Sequence, residues 1–185
     1  MKTDSQTQNI EVEIRSFIEK KKYEELIEFF KKEGKFLGED YQETYYFDCE
    51  QDLRIQKNNS GCKLWLKKGK IHDDSREEHE VQCKREDFEK LEALLIALGY
   101  NVEIKWFRKR HRFDWNGIKV TVDYTKGYGY ILELEIMSNE ESKKETLELL
   151  REKLLSLEIE ETPKEEFNVK YEEYKQNWKL RTKSA

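Results

Sequence analysis

Residues 117–137, GIKVTVDYTKGYGYILELEIM, decide the fold. Val120 and Val122 alternate with Thr121 and Asp123, and Leu132, Leu134 and Ile136 alternate with Glu133 and Glu135. Successive side chains of a strand point to opposite faces, so a hydrophobic period of two marks a strand with one face in a core. Two such runs joined by KGYG at 126–129 read as an antiparallel hairpin. Gly127 and Gly129 serve the turn, because no helix follows directly, as a glycine-rich phosphate loop requires.

The same period continues on both sides. Ile10, Val12 and Ile14 alternate with Glu11, Glu13 and Arg15. A strand at 102–113 precedes the hairpin signal Asn116-Gly117 and sets Arg108, Arg110 and Arg112 against Phe107 and Phe113. Shorter extended runs lie at 40–48, 52–57, 62–68 and 76–83. In these, Arg54 opposes Leu53 and Ile55, Lys63 and Lys67 oppose Leu64 and Leu66, and Arg76, Glu78 and Glu80 share a face. Helical spacing appears at 22–33, closed by Gly34, at 86–98, closed by Gly99, and at 140–157. A last helix at 164–179 places Phe167, Tyr171, Tyr174 and Trp178 on one stripe, which reads as a docking face. The expected class is α+β: eight antiparallel strands closed into a barrel, with helices packed outside. Residues 1–9 read as a flexible N-terminus, 10–160 as the barrel domain and 161–185 as a C-terminal helix and tail.

Charged residues make up 41% of the 185 residues and mean hydropathy is -1.02, which by themselves suggest disorder. Aromatic residues at 12% and a single proline argue for a packed core instead. The net charge of -5 carries no basic tail, which argues against nucleic acid as a partner. Cys49, Cys62 and Cys83 form no CxxC pair and read as reduced thiols. Neither a signal peptide nor a stretch of ~20 apolar residues appears, so the expected location is cytoplasmic, with no membrane partner.

A single strand with one charged face is ordinarily a surface strand. Many such strands, with helices covering their apolar sides, instead turn acids and bases toward a common space. Arg and Lys there give charge-assisted hydrogen bonds to phosphate oxygens. Carboxylates alone would repel a polyanion, but they hold hard divalent cations that bridge to phosphate. The two E-x-E pairs and Asp123 supply such carboxylates, so a metal–triphosphate complex matches the pattern.

The ordered fragments EVEIR (11–15), QETYYFD (42–48), DLRIQ (52–56), KLWLKKG (63–69), SREEHEV (75–81), RKRHRF (108–113) and VDYTKGYGYILELE (122–135) resemble the CYTH family, the triphosphate tunnel metalloenzymes. The likeness covers roughly residues 10–137 and is nearest in look to class IV adenylyl cyclase-like members. It implies an eight-stranded tunnel with Mg²⁺ or Mn²⁺ as cofactor. It also implies a small triphosphate partner: tripolyphosphate, ATP or thiamine triphosphate. Carried over, the metal candidates are Glu11, Glu13, Glu78, Glu80, Asp123, Glu133 and Glu135, with Glu78 and Glu80 open between metal binding and salt-bridging. The phosphate-binding candidates are Arg15, Arg54, Lys63, Lys67, Arg76, Arg108 and Arg110, and the catalytic set is Glu11, Glu13, Arg15 and Lys67. The sequence departs from the pattern at Arg15, where the ExExK signature has Lys, and at Gln56, where R-x-R would place a second Arg. The likeness leaves three activities open: triphosphate hydrolysis, cyclisation of ATP to cyclic AMP and pyrophosphate, and binding without turnover. A monomer or a homodimer is expected.

Overall fold

Strands form at each of the period-two runs, and helices at each run of helical spacing. The computed structural model describes residues 10–67 and 78–183. The elements are β1 (Ile10–Ile18), α1 (Lys20–Glu33), β2 (Lys35–Phe47), β3 (Asp52–Lys57), β4 (Cys62–Lys67), β5 (Glu78–Cys83), a 3-10 turn (Arg85–Asp87), α2 (Phe88–Ala97), β6 (Val102–Trp115), β7 (Ile118–Thr125), β8 (Gly129–Ser138), α3 (Lys143–Ser156) and α4 (Lys164–Arg181). The strands are hydrogen-bonded in the order β1-β8-β7-β6-β2-β3-β4-β5, giving the expected eight-stranded sheet of an α+β fold. The pairs β1–β8, β2–β3, β3–β4 and β4–β5 are antiparallel. Among the described residues this order is linear, with β1 and β5 at its ends, rather than a closed ring of hydrogen bonds.

β2 begins at Lys35, five residues earlier than the aromatic run suggests. Gly34 does not end α1 in the left-handed conformation; its φ is -124° and its ψ 178°. What demands glycine there is space: a Cβ would lie 2.9 Å from the backbone oxygen of Asp114. The Asn116-Gly117 turn behaves as the sequence predicts, with φ of 54° and 84°, the paired positive values of a tight hairpin.

The chain divides into two compact units. In the first (residues 1–39, 110–124 and 129–170), Tyr23, Leu26 and Phe30 of α1 and Leu150 and Leu154 of α3 pack with Val12 and Ile14 of β1, Val120 and Val122 of β7, and Leu132 and Leu134 of β8. Phe30 is fully buried, with its ring 5.6 Å from Phe113 and 5.4 Å from Trp115. His111 is buried. Alternation places it opposite the Arg110 face, where its Nε2 lies 2.7 Å from Glu39 and its Nδ1 3.4 Å from the Tyr23 hydroxyl. In the second unit (residues 40–109, 125–128 and 171–185), Phe88 and Leu95 of α2 pack on Tyr45, Phe47, Leu53, Ile55 and Cys62. Tyr174 of α4 joins a separate cluster with Tyr46, Ile104 and Trp106.

Phe30→Ala is expected to cost roughly 3–5 kcal/mol through the cavity it leaves. Gly34→Ala should cost roughly 1–3 kcal/mol by forcing backbone apart. Urea denaturation measures both, and a neutral Gly34→Ala would contradict the close approach to Asp114.

Candidate functional site

In the first unit the charged faces of β1, β8, β7 and β6 meet one another. The β1–β8 register sets Glu13 opposite Glu135, Arg15 opposite Glu133, and Glu11 opposite Met137. Directly opposed residues share a face, so these side chains form one row system. Lys119 reaches across from β7 and donates to both oxygens of Glu135 at 2.7 and 2.8 Å. Thr121 lies 3.4 Å from Glu133. Arg110 of β6 grips Asp123 with Nε at 3.0 and 3.1 Å and Nη2 at 2.7 Å, and its Nη2 is 4.0 Å from Glu133. Arg15 Nε stands 3.5 Å from Glu13. The structure therefore brings Glu11, Glu13, Arg15, Arg110, Asp123, Glu133 and Glu135 onto one face. It adds Lys119, which the Lys119-Thr121-Asp123 alternation already signals.

The electrostatics of this face are uneven. Burial works against the charge of Arg110, but Asp123, Glu133 and Glu135 more than offset it and raise its pKa. Glu13 is pushed from 4.5 up to about 7 by burial, then by Glu133, with Glu11 and Glu135 adding and Arg15 opposing. Its side chain keeps 36% of its surface in contact with water.

The donor set suits a hard cation, since it consists of carboxylate oxygens with repulsion left over at Glu13. In the present arrangement Glu135 is committed to Lys119 and Asp123 to Arg110. No three His, Cys, Asp or Glu side chains among the described residues already converge as metal ligands. The carboxylates fit by chemistry and would have to rotate toward an ion.

The second unit carries a cationic and aromatic face. Tyr46, Arg54 and Trp65 are opposed in register, as are Thr44, Gln56 and Lys63. Asp52, whose side chain is only 3% exposed, pairs with the Arg54 guanidinium through two hydrogen bonds. That guanidinium lies 4.3 Å over the Tyr46 ring and 5.7 Å from the Trp65 ring. Burial again opposes its charge, while Tyr46 and Asp52 raise its pKa overall. Lys63 bonds Glu80 at 2.7 Å and lies 4.5 Å over Trp65; this contact draws the Glu80 pKa down. In this structure Glu80 takes the salt-bridging role of the two left open. Gln56 donates to Thr44 at 2.8 Å. Lys67 lies opposite Asp52 and Glu78 in register, and Arg108 is 5.8 Å from the Trp106 ring. Arg76 and the Glu78 side chain lie outside the described residues.

α4 docks through the stripe the sequence marks, and it does so on the charged side of the strands. In the first unit Phe167 stacks 4.3 Å from Phe17, with Arg15 5.1 Å over its ring. In the second, Tyr174 is fully buried, 4.9 Å from Trp106 and 5.6 Å from Tyr128. Two buried polar atoms of the second unit, Trp106 Nε1 and Thr125 Oγ1, lack a hydrogen-bond partner among the described residues.

An antiparallel sheet with helices on its apolar side and ordered acids and bases on the other is the architecture these residues build. The CYTH domain matches residues 9–167, and the chain belongs to this family. A Methanocaldococcus jannaschii protein named "Putative adenylate cyclase" is 32% identical over 161 residues, 81% of this chain and 90% of that protein. A conserved hypothetical protein of Pyrococcus furiosus superposes with a TM-score of 0.63 at 25% identity, covering 81% of this chain and 91% of its own. A Pyrococcus horikoshii protein gives the same TM-score and identity over 82% and 92%. No helix among the described residues is long and apolar enough to cross a membrane.

The raised Glu13 pKa has a signed consequence. Between about pH 4.5 and about 7 the folded chain retains a proton that the unfolded chain has released. This stabilising contribution is full below that window and is lost as pH rises through it. Carboxyl NMR should show Glu13 titrating near 7 and Glu133→Gln moving it toward 4.5. An ordinary Glu13 titration in the unmutated chain would remove the crowding described here.

Proposed function

We propose that the chain is a divalent-metal-dependent enzyme acting on triphosphates, hydrolysing tripolyphosphate, thiamine triphosphate or a nucleoside triphosphate. The observation that carries this reading is the row system of the first unit. Glu13 faces Glu135, Arg15 faces Glu133 and Arg110 holds Asp123, so cation-binding oxygens and anion-binding guanidiniums alternate over a few ångströms. An anion alone or a cation alone would be met by both signs; a metal–polyphosphate complex is complementary to the mixture.

Mg²⁺ or Mn²⁺, when bound, would offset phosphate charge and polarise a phosphoryl oxygen. Glu11, Glu13 and Glu133 are the carboxylates to hold it, with Glu135 following once Lys119 turns to phosphate. Arg15 and Arg110 orient phosphate oxygens. Arg15 suits this task better than proton transfer, because a guanidinium keeps its proton. On the second unit's face Arg54, Lys63, Lys67 and Arg108 serve the same use. There Asp52 fixes the Arg54 fork, while Trp106 Nε1 and Thr125 Oγ1 are buried and lack a hydrogen-bond partner among the described residues.

A second reading, cyclisation of ATP to cyclic AMP and pyrophosphate, is favoured by the name of the Methanocaldococcus relative. The two reactions differ in the attacking oxygen: water on the terminal phosphorus, or the ribose 3'-hydroxyl on the α-phosphorus. Purified protein given Mg²⁺ or Mn²⁺ with tripolyphosphate or ATP separates them. Phosphate release supports hydrolysis and cyclic AMP with pyrophosphate supports cyclisation. Tight binding without turnover would make the chain a binding module.

Glu133→Gln is expected to weaken metal dependence on the order of 10–100-fold without unfolding the chain. Unchanged activity and metal requirement in this variant would remove Glu133 from the metal set. Tyr174→Ala, which loosens α4 from the Trp106 face, should change the affinity for triphosphate. Calorimetric titration checks this, and an unaltered affinity would leave α4 a purely structural element.

A further inference from the structure

Cys62 opens β4 and Cys83 closes β5, and the two stand directly opposite each other in the antiparallel register. Both side chains enter the apolar cluster under α2, on the side of the strands away from Lys63 and Trp65. Opposed residues of an antiparallel pair have Cα atoms about 4.5–5.5 Å apart. A disulfide accepts about 4.4–6.8 Å, so the pair can be bridged without separating or shifting the strands. Both are free thiols, one buried and one half-buried. Cys49 borders the same cluster but has no cysteine opposite it in any strand pair described.

We propose that Cys62 and Cys83 are a reversible modification site, forming a cross-strand disulfide by exchange with a low-molecular-weight disulfide of the glutathione class. The more accessible Cys83 loses its proton and attacks one sulfur of the reagent. The reagent's S–S bond breaks, its first thiol leaves with a proton, and a mixed disulfide remains on Cys83. Cys62 then loses its proton and attacks Cys83 Sγ, releasing the second thiol. Two protein thiols are oxidised and one reagent disulfide is reduced to two thiols, so electrons and atoms balance. Burial first, then Cys83, Asp87 and Glu89, push the Cys62 thiol up to about 11, which fits the resolving rather than the initiating role.

The bridge bears on the charged face without lying on it. A slip of one residue between β4 and β5 would turn every side chain of the slipped strand to the wrong side. The disulfide forbids that slip and so holds Lys63 against Glu80.

Full-length chain incubated with oxidised glutathione and mapped by peptide mass spectrometry tests the assignment. The unmutated chain and Cys49→Ser should give a Cys62–Cys83 peptide pair lacking two hydrogens, reversed by dithiothreitol. Cys62→Ser should stop at a glutathione adduct on Cys83, and Cys83→Ser should give no internal bridge. The bridged chain should melt later than the reduced chain by roughly 5 °C or more. A bridge containing Cys49, an adduct on Cys83 that never resolves in the unmutated chain, or no rise in Tm overturns the proposal.

Discussion

Mutual neutralisation of acids and bases on one side of the strands is the condition under which the rest of this fold holds together. Alternation commits Val120, Val122, Leu132 and Leu134 to the apolar core and leaves Thr121, Asp123, Glu133 and Glu135 facing the other way. Carboxylates placed there without partners would carry a desolvation cost of several kcal/mol each. Arg110 on Asp123 and Lys119 on Glu135 relieve the two most enclosed of them. Among the described residues Glu13 has no comparable partner, and burial first, then Glu133, raises its pKa to about 7.

The second unit solves a related problem with different chemistry. Arg54 is nearly enclosed, yet one carboxylate, Asp52, and two ring faces accommodate it. The rings attract a cation through their π faces without adding net negative charge. The guanidinium is therefore held in place by one carboxylate and two rings.

Much of this arrangement was legible because strand alternation is a local property. The two E-x-E pairs, Arg110 and Asp123 could be put on one side of their strands from period two alone. Asp52 and Lys119 carried the same signal, two positions from Arg54 and four from Asp123. The sequence was silent about which face meets which neighbour. His111 alternates correctly away from Arg110, but nothing local says that Tyr23 and Glu39, from α1 and β2, will enclose it. The linear strand order and the early start of β2 likewise depend on contacts distant in sequence, such as Gly34 against Asp114. The family likeness fixes the scaffold, and local pattern does not choose among hydrolysis, cyclisation and binding without turnover.

The last helix gives the molecule an internal competitor. The Tyr174 hydroxyl donates to the Lys105 carbonyl at 2.8 Å, and the Trp178 indole donates to Glu103 at the same distance, so α4 is pinned to the backbone of β6 and not merely rested on it. A ligand seeking Trp106 and its neighbour Arg108 meets a surface already satisfied in part by the chain's own tail. For a ligand that required Trp106 uncovered, the apparent affinity would be the intrinsic affinity multiplied by the fraction of molecules in which α4 has moved away. Changes in α4 thereby act on the backbone of a strand 69 to 75 positions earlier.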